Sequence, residues 1–529
     1  MVITRRGIVA TAQPLASQAG AQILARGGSA VDAAIAANAV LSLVEPMMNG
    51  PGGDLFALVW DSKTGKLTGI NASGWAPKGL SIDYLRKQGM SSIPADSIHS
   101  VTVPGCVDGW EKLHKRYGRL PWRDLFKPAI YYAENGFPVT ELIQWDWEDA
   151  GSKLEGPARE LYMPNGRAPK VGEIFRNTQL AHALHLIAEL GARAFYSGPI
   201  GEAILETSER LGGTMTIDDL REFQSEWVQP ISTEYRDWKI YEIPPNGQGI
   251  GVLEMLNIME AFPLSSYPQS SADALHIEIE AQKLATQDLK RYVGDPRMAP
   301  IPTAGLMAKS YAKERAALID PQKANCDVQP GKLEAVHNTT YLSAVDKDGN
   351  IVSFIQSISD IFGSRIAVNG MGFLLHDRGA GFELDPDHLN ALAPRKRPFH
   401  TIIPGFMERG SLHIGFGIMR GMNQAQAQAQ FVSNIADHGM NIQAALEAPR
   451  FNKTTLGGCD VLMESRVPQA DRDELTKRGH QLKVVGPYSG WMGGGQAVMH
   501  DSAAKVNYGA SSPRKDGVAI PEPDPYFSK

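Results

Sequence analysis

The run GGSAVDAAIAANAVLSLVEP, residues 27–46, limits what this chain can fold into more than any other feature. From Ala30 to Val44 it is small and apolar on nearly every side, apart from Asp32 and Asn38. A helix without a polar face must be covered all round. The run therefore predicts a buried helix, opened by the Gly27-Gly28-Ser29 turn and stopped at Pro46. Directly after it, Asn49-Gly50-Pro51-Gly52-Gly53-Asp54 reads as a turn feeding a buried strand, LFALVW.

Helix and strand signals alternate along the rest of the chain, as sheets covered by helices require. TTYLSAVD (339–346) and IVSFIQSIS (351–359) flank Lys347-Asp348-Gly349-Asn350, and Asp-Gly between alternating apolar runs predicts a hairpin. Ahead of it, PQKANCDVQPGKLEAVHN (321–338) is polar, rich in turn formers and aperiodic, so an exposed, mobile loop is expected.

Composition narrows the partners rather than the function. With 529 residues, 43% hydrophobic and 21% charged, the chain is ordinary globular material. A net charge of -6 and a pI near 6.1, with no sustained basic run, make nucleic acid and anionic membrane poor partners. The start, MVITRRGIVATAQPLASQ, lacks an apolar core of signal-peptide length, and no stretch approaches about 18 apolar residues; a cytoplasmic location is expected. Three cysteines, Cys106, Cys326 and Cys459, show no CxxC spacing and an odd total, which indicates neither a disulfide framework nor a zinc site; core packing is expected of them.

The chemistry concentrates where the loop meets the hairpin. A threonine hydroxyl needs an adjacent base, and its own α-amine, with a pKa of about 7.7–8.0, can serve once the preceding peptide bond is broken. A precursor can break that bond itself if the Thr339 hydroxyl attacks the Asn338 carbonyl and water cleaves the resulting ester. Spacing alone leaves open that Asn338-Thr339-Thr340 merely starts an edge strand.

The segment NTTYLSAVDKDGNIVSFIQSIS is similar to the processing site of the gamma-glutamyltranspeptidase family, where a Thr-Thr pair starts the small subunit. GGSAVDAAIAANAVLSLVEP, Gly-Pro-Gly-Gly at 50–53, VPGCVDGW at 103–110, APRF at 448–451 and GASSPR at 509–514 also resemble family blocks, in the family order. The resemblance implies an α+β fold, a four-layer αββα sandwich of the N-terminal nucleophile hydrolases. It would be formed jointly by the two chains of an autocleaved precursor, a large subunit (1–338) and a small catalytic one (339–529). It implies Thr339 as nucleophile and base, Ser357 as the hydroxyl bonded to it, and the Gly421 amide, in GIMRG (417–421), as an oxyanion donor. Cleavage before Thr340 remains open, since only the family register favours Thr339.

Departures from the family pattern bear on substrate. Positions that grip the amino and carboxylate groups of glutamate read Ser359, Arg378 and Gly381, with Ile82 near a large-subunit arginine; the paired serines read His400 and Thr401, and Arg420 replaces a glycine. Gain of Arg378 and Arg420 without an acid for an ammonium suits a small anionic amide, unless these arginines pair with Asp377, Glu383 or Asp385. Within the family the pattern is closest to the branch that hydrolyses oxamate to oxalate and ammonia in bacterial purine nitrogen use. Rival readings are a gamma-glutamyl hydrolase or transpeptidase, a cephalosporin-type acylase, and an unprocessed, non-catalytic relative. No metal or organic cofactor is expected, and there is room for a homodimer of processed units. Asp54 is expected to cap a helix or turn, Trp75 either to close the pocket or to pack in a turn, His337 to be a solvated loop residue, and Gln424, Gln426, Gln428 and Gln430 to form one helix.

Overall fold

The computed structural model describes residues 1–328, 338–455 and 457–526, with Asn338 and Thr339 described through their backbone alone. His337 and most of the expected mobile loop lie outside the described residues; 321–328 is largely exposed.

Two seven-stranded antiparallel sheets lie at the centre. The first runs Val518–Pro521, Ile8–Thr11, Asn338–Val345, Ile351–Ser359, Asp54–Asp61, Lys66–Ala72, Glu226–Val228. The second runs Val2–Thr4, Val506–Ser511, Gly495–Asp501, Leu412–Ile418, Gly405–Arg409, Trp238–Glu242, Ile231–Tyr235. Alternation assigns the faces of the first sheet. Leu55, Ala57, Leu342, Ala344, Val352 and Phe354 pack outward on helices, whereas Phe56, Leu58, Tyr341, Val345, Ile351 and Ile355 pack inward with Phe406, Ile414 and Phe416 of the second sheet.

The outward layer holds the expected helix Ala30–Val44, buried at every position and started by a Ser29–Asp32 capping box. The opposite outer layer, Gly249–Met259, Ala272–Tyr292 and Asn423–Ala436, covers the second sheet. The architecture is thus the four-layer αββα sandwich expected. Segments before and after Thr339 alternate within both sheets, so neither part has a core of its own.

The hairpin forms as read: Asp346 Oδ1 accepts the N–H groups of Asp348 and Asn350, each at 3.0 Å, and Gly349 takes φ 83°. The cysteine expectation fails for two of three residues. Cys326 and Cys459 form a disulfide with Cα atoms 4.9 Å apart across 133 residues, and only Cys106 is a free, buried thiol. No helix among the described residues is long and apolar enough to cross a membrane.

Candidate active site

The turn after the buried helix braces the end of the second hairpin strand. Met48 O accepts the Ile358 N–H at 3.1 Å, Met47 O that of Phe362 at 2.8 Å and Gly52 O that of His376 at 3.0 Å. A Cβ on Gly52 would lie 2.2 Å from Leu374 O, and one on Gly53 would lie 2.4 Å from Ser357 O, so both positions require glycine. Asn338 pairs with Ser359 and Thr340 with Gln356, which places Thr339 at a bulge in the ladder; bulges of this kind favour sheet edges and active sites. Ser357 is fully buried, and its Oγ accepts the Ser359 N–H at 2.8 Å. Ser359 has φ 82° and Arg420 has φ 99°. Non-glycine residues held in this region cluster at functional sites.

Arg378 is the most unusual side chain nearby. It is 2% exposed; Nη1 donates to Thr401 Oγ1 at 2.8 Å, while Nε and Nη2 have no hydrogen-bond partner among the described residues. Burial lowers its guanidinium to about 10, still a cation at neutral pH. Among the described residues Asp377, Asp385 and Glu383 form no ion pair with it, although the charges of Asp54 and Asp377 favour the cation. Thr401 O in turn accepts from Gln248 Nε2, which also donates to Gly421 O at 2.9 Å. One amide therefore links the Arg378 anchor to the turn of the expected oxyanion donor. Gly421 (φ 50°) precedes the helix Asn423–Ala436, so its N–H lies at the positive end of a helix dipole.

Asp54 does cap a turn, accepting the N–H groups of Gly74 (3.0 Å) and Gly105 (3.2 Å) through Oδ1, but it does more. Oδ2 lies 3.0 Å from His400 Nε2, whose Nδ1 accepts the Ile402 N–H at 3.4 Å. His400 therefore shapes the site through Asp54 and offers no spare ring nitrogen to a substrate carboxylate. Burial raises the Asp54 carboxyl to about 7, opposed by Arg378, and burial with Arg378 lowers His376 to about 3, keeping it neutral.

Two acids, Asp377 and Asp360, lie beside Ser359. Asp377 Oδ1 accepts the Asp360 N–H at 3.0 Å, and a Ser359 side-chain hydrogen bond also reaches Asp377. Burial, together with Asp377, raises Asp360 to about 7.

Arg420 is held by an aromatic ring. Its guanidinium lies 4.0 Å from the centre of the Trp491 ring in a cation–π stack, at a cavity of about 420 Å³ lined also by Gly421, Asn423, Asn452, Lys453 and Asp460. The four glutamines form one helix, as expected, and also bind the site's loops. Gln424 and Gln428 hold the Ile403 backbone, while Gln426 and Gln430 hold Lys453 and Phe451. Trp75 packs edge-on against Phe223, 5.1 Å between centroids, as a turn aromatic.

One buried network was missed altogether. Thr340 Oγ1 donates to Glu45 Oε2, Glu45 Oε1 lies 3.0 Å from Lys515 Nζ, and Lys515 also pairs with Asp146. The group that most resembles a metal site among the described residues, His276, Glu280 and His480, does not fit a cation. His276 Nδ1 is bonded to His480 at 2.8 Å, and the Lys283 ammonium already sits 2.7 Å from Glu280.

The αββα sandwich is the architecture of the N-terminal nucleophile hydrolases. The chain is a member of the gamma-glutamyltranspeptidase family, whose profile matches residues 16–522. It is 37% identical over 526 residues to the glutathione hydrolase-like YwrD proenzyme of Bacillus subtilis, covering 98% of this chain and 99% of that one. It is 32% identical to the oxamate amidohydrolase proenzyme of Klebsiella pneumoniae, covering 98% of each. The crystal structure of a cephalosporin acylase from Bacillus halodurans superposes with a TM-score of 0.93 at 41% identity, covering 99% of this chain and 97% of that one.

Proposed function

We propose that the chain cuts itself before Thr339 into a large subunit (1–338) and a small one (339–529), and that Thr339 is then the nucleophile of a cytoplasmic amidohydrolase acting on a small carboxylate-bearing amide, foremost oxamate. The observation that carries the substrate class is Arg378: a buried cation with Nε and Nη2 unpartnered among the described residues, in a place where guanidinium pairs strongly with a carboxylate.

In this reading Arg378 and Thr401 hold the substrate carboxylate, with Ser359 beside them. The Thr339 hydroxyl attacks the amide carbon as its α-amine takes the proton. The Gly421 N–H meets the tetrahedral oxyanion. Collapse returns the proton to the nitrogen and expels ammonia, leaving an oxalyl ester on Thr339 that water, deprotonated by the same amine, hydrolyses. Ser357, two residues before Ser359 on the neighbouring strand, is proposed to hold the nucleophile.

A second reading, gamma-glutamyl hydrolysis or transpeptidation, is favoured by the buried Asp377 and the half-buried Asp360 beside Ser359, a pair of acids suited to an ammonium. Ammonia release from oxamate, run beside glutamate release from a gamma-glutamyl amide and acyl release from a glutaryl amide, separates the readings. The proposal expects oxamate turnover that vanishes in Thr339→Ala; gamma-glutamyl turnover without oxamate turnover would transfer the site to the second reading.

A further inference from the structure

We propose that the Cys326–Cys459 disulfide is a thiol-sensitive covalent tether between the two mature subunits and that it holds the wall of the Arg420 cavity in place. The inference rests on the cut before Thr339. Cys326 belongs to the piece that ends at 338 and Cys459 to the piece that begins at 339, so cleavage turns an intrachain link into an interchain one. Among the described residues no other disulfide joins the pieces.

The surroundings show a strap on both sides of the bond. Asn325 N–H donates to Glu280 Oε2 at 3.3 Å, Asn325 O accepts from Lys283 Nζ at 3.1 Å, and Ala324 N–H donates to Arg478 O at 2.7 Å. On the other side, Cys459 O accepts the Gln481 N–H at 2.7 Å. The next residue, Asp460, accepts from Lys453 Nζ at 2.9 Å, and both line the cavity with Arg420 and Gly421. The disulfide thus joins the end of the large subunit to the cavity wall.

The two sulfurs differ in a way that sets the direction of exchange. Cys326 is exposed and Cys459 buried, with Lys283 Nζ 3.7 Å from Cys459 Sγ. A small external thiolate attacks the accessible Cys326 sulfur and forms a mixed disulfide there. The electron pair of the broken bond leaves on Cys459 as a thiolate, 3.7 Å from the Lys283 ammonium that is shared with Glu280. A second external thiolate then releases Cys326 and carries away the oxidised small disulfide. Since disulfides are rare in reducing compartments, the thiol poise around the protein sets how much of it is tethered.

Denaturing electrophoresis of the purified protein tests the tether. Without reductant it runs as one 57.5 kDa species; with dithiothreitol it separates into two. Two bands under both conditions would overturn the tether while leaving the cut intact, and one band under both would overturn the cut and the tether together. The cavity role is read from native protein. Dithiothreitol lowers both the melting temperature and kcat/KM of the wild type, Cys326→Ser already shows the lowered values, and the reagent leaves that variant unchanged. A wild type indifferent to dithiothreitol would overturn the cavity role.

Discussion

Arg378 Nη1 donates to Thr401 Oγ1 at 2.8 Å, and this bond ties a buried cation on one loop to another. The guanidinium is left with two nitrogens to offer. Lysine at this position keeps the charge and loses the fork. Arg378→Lys is expected to leave self-cleavage intact and to raise KM for oxamate by about ten- to a hundredfold, the loss of a charge-assisted bond worth about 1.5–3 kcal/mol. Steady-state kinetics check this, and an unchanged KM contradicts it.

Gln248 is expected to govern kcat. Its amide bonds both Thr401 O and Gly421 O, and Gln248→Leu strands two buried carbonyls at about 1–3 kcal/mol each. A lower melting temperature and a fall in kcat larger than any rise in KM are expected, because the Gly421 turn loses its anchor.

Ser357→Ala is expected to slow both self-cleavage and turnover by about fivefold, in line with about 1 kcal/mol for one hydrogen bond, with Ser357→Thr close to the parent. A time course of fragment appearance after expression, followed by turnover assays, separates the two effects. Equal behaviour of the alanine variant and the parent contradicts a role for this hydroxyl.

Asp54 makes a pH prediction. Burial raises its carboxyl from 3.8 to about 7, so the folded state holds a proton that the unfolded state has released across that window. Its contribution to stability is full below about pH 4 and is lost as pH rises through 7. Asp54→Asn, which cannot ionise, is expected to remove that slope, at most about 1.4 kcal/mol per pH unit. Chemical denaturation of both proteins from pH 4 to 8 measures the difference; parallel curves contradict it.

How much of this was legible depends on whether the cause was local. Ala30–Val44 and the Asp348-Gly349 hairpin announce themselves through composition and turn chemistry, whereas the four-layer sandwich was legible only through the family resemblance. Thr339, Ser357 and Gly421 are singled out only by resemblance to family blocks, because a threonine at the start of a strand is unremarkable by itself. The Cys326–Cys459 bond spans 133 residues with no spacing rule to betray it. Asp360, Asp377 and the Glu45–Lys515–Asp146 network are invisible for a related reason: a sequence shows a charge, but not that it is buried or what faces it. His400 illustrates the same limit, since the sequence does not show that its ring nitrogens are engaged with Asp54 and the backbone.

The central claim is the nucleophile, and the most direct measurement is the N-terminal sequence and intact mass of the reduced, purified protein, beside Thr339→Ala. The account predicts two fragments, 1–338 and 339–529, the smaller beginning Thr-Thr-Tyr, and a single uncut chain for the variant. An uncut wild type that still cleaves amides, or a small fragment that begins at Thr340, would contradict it.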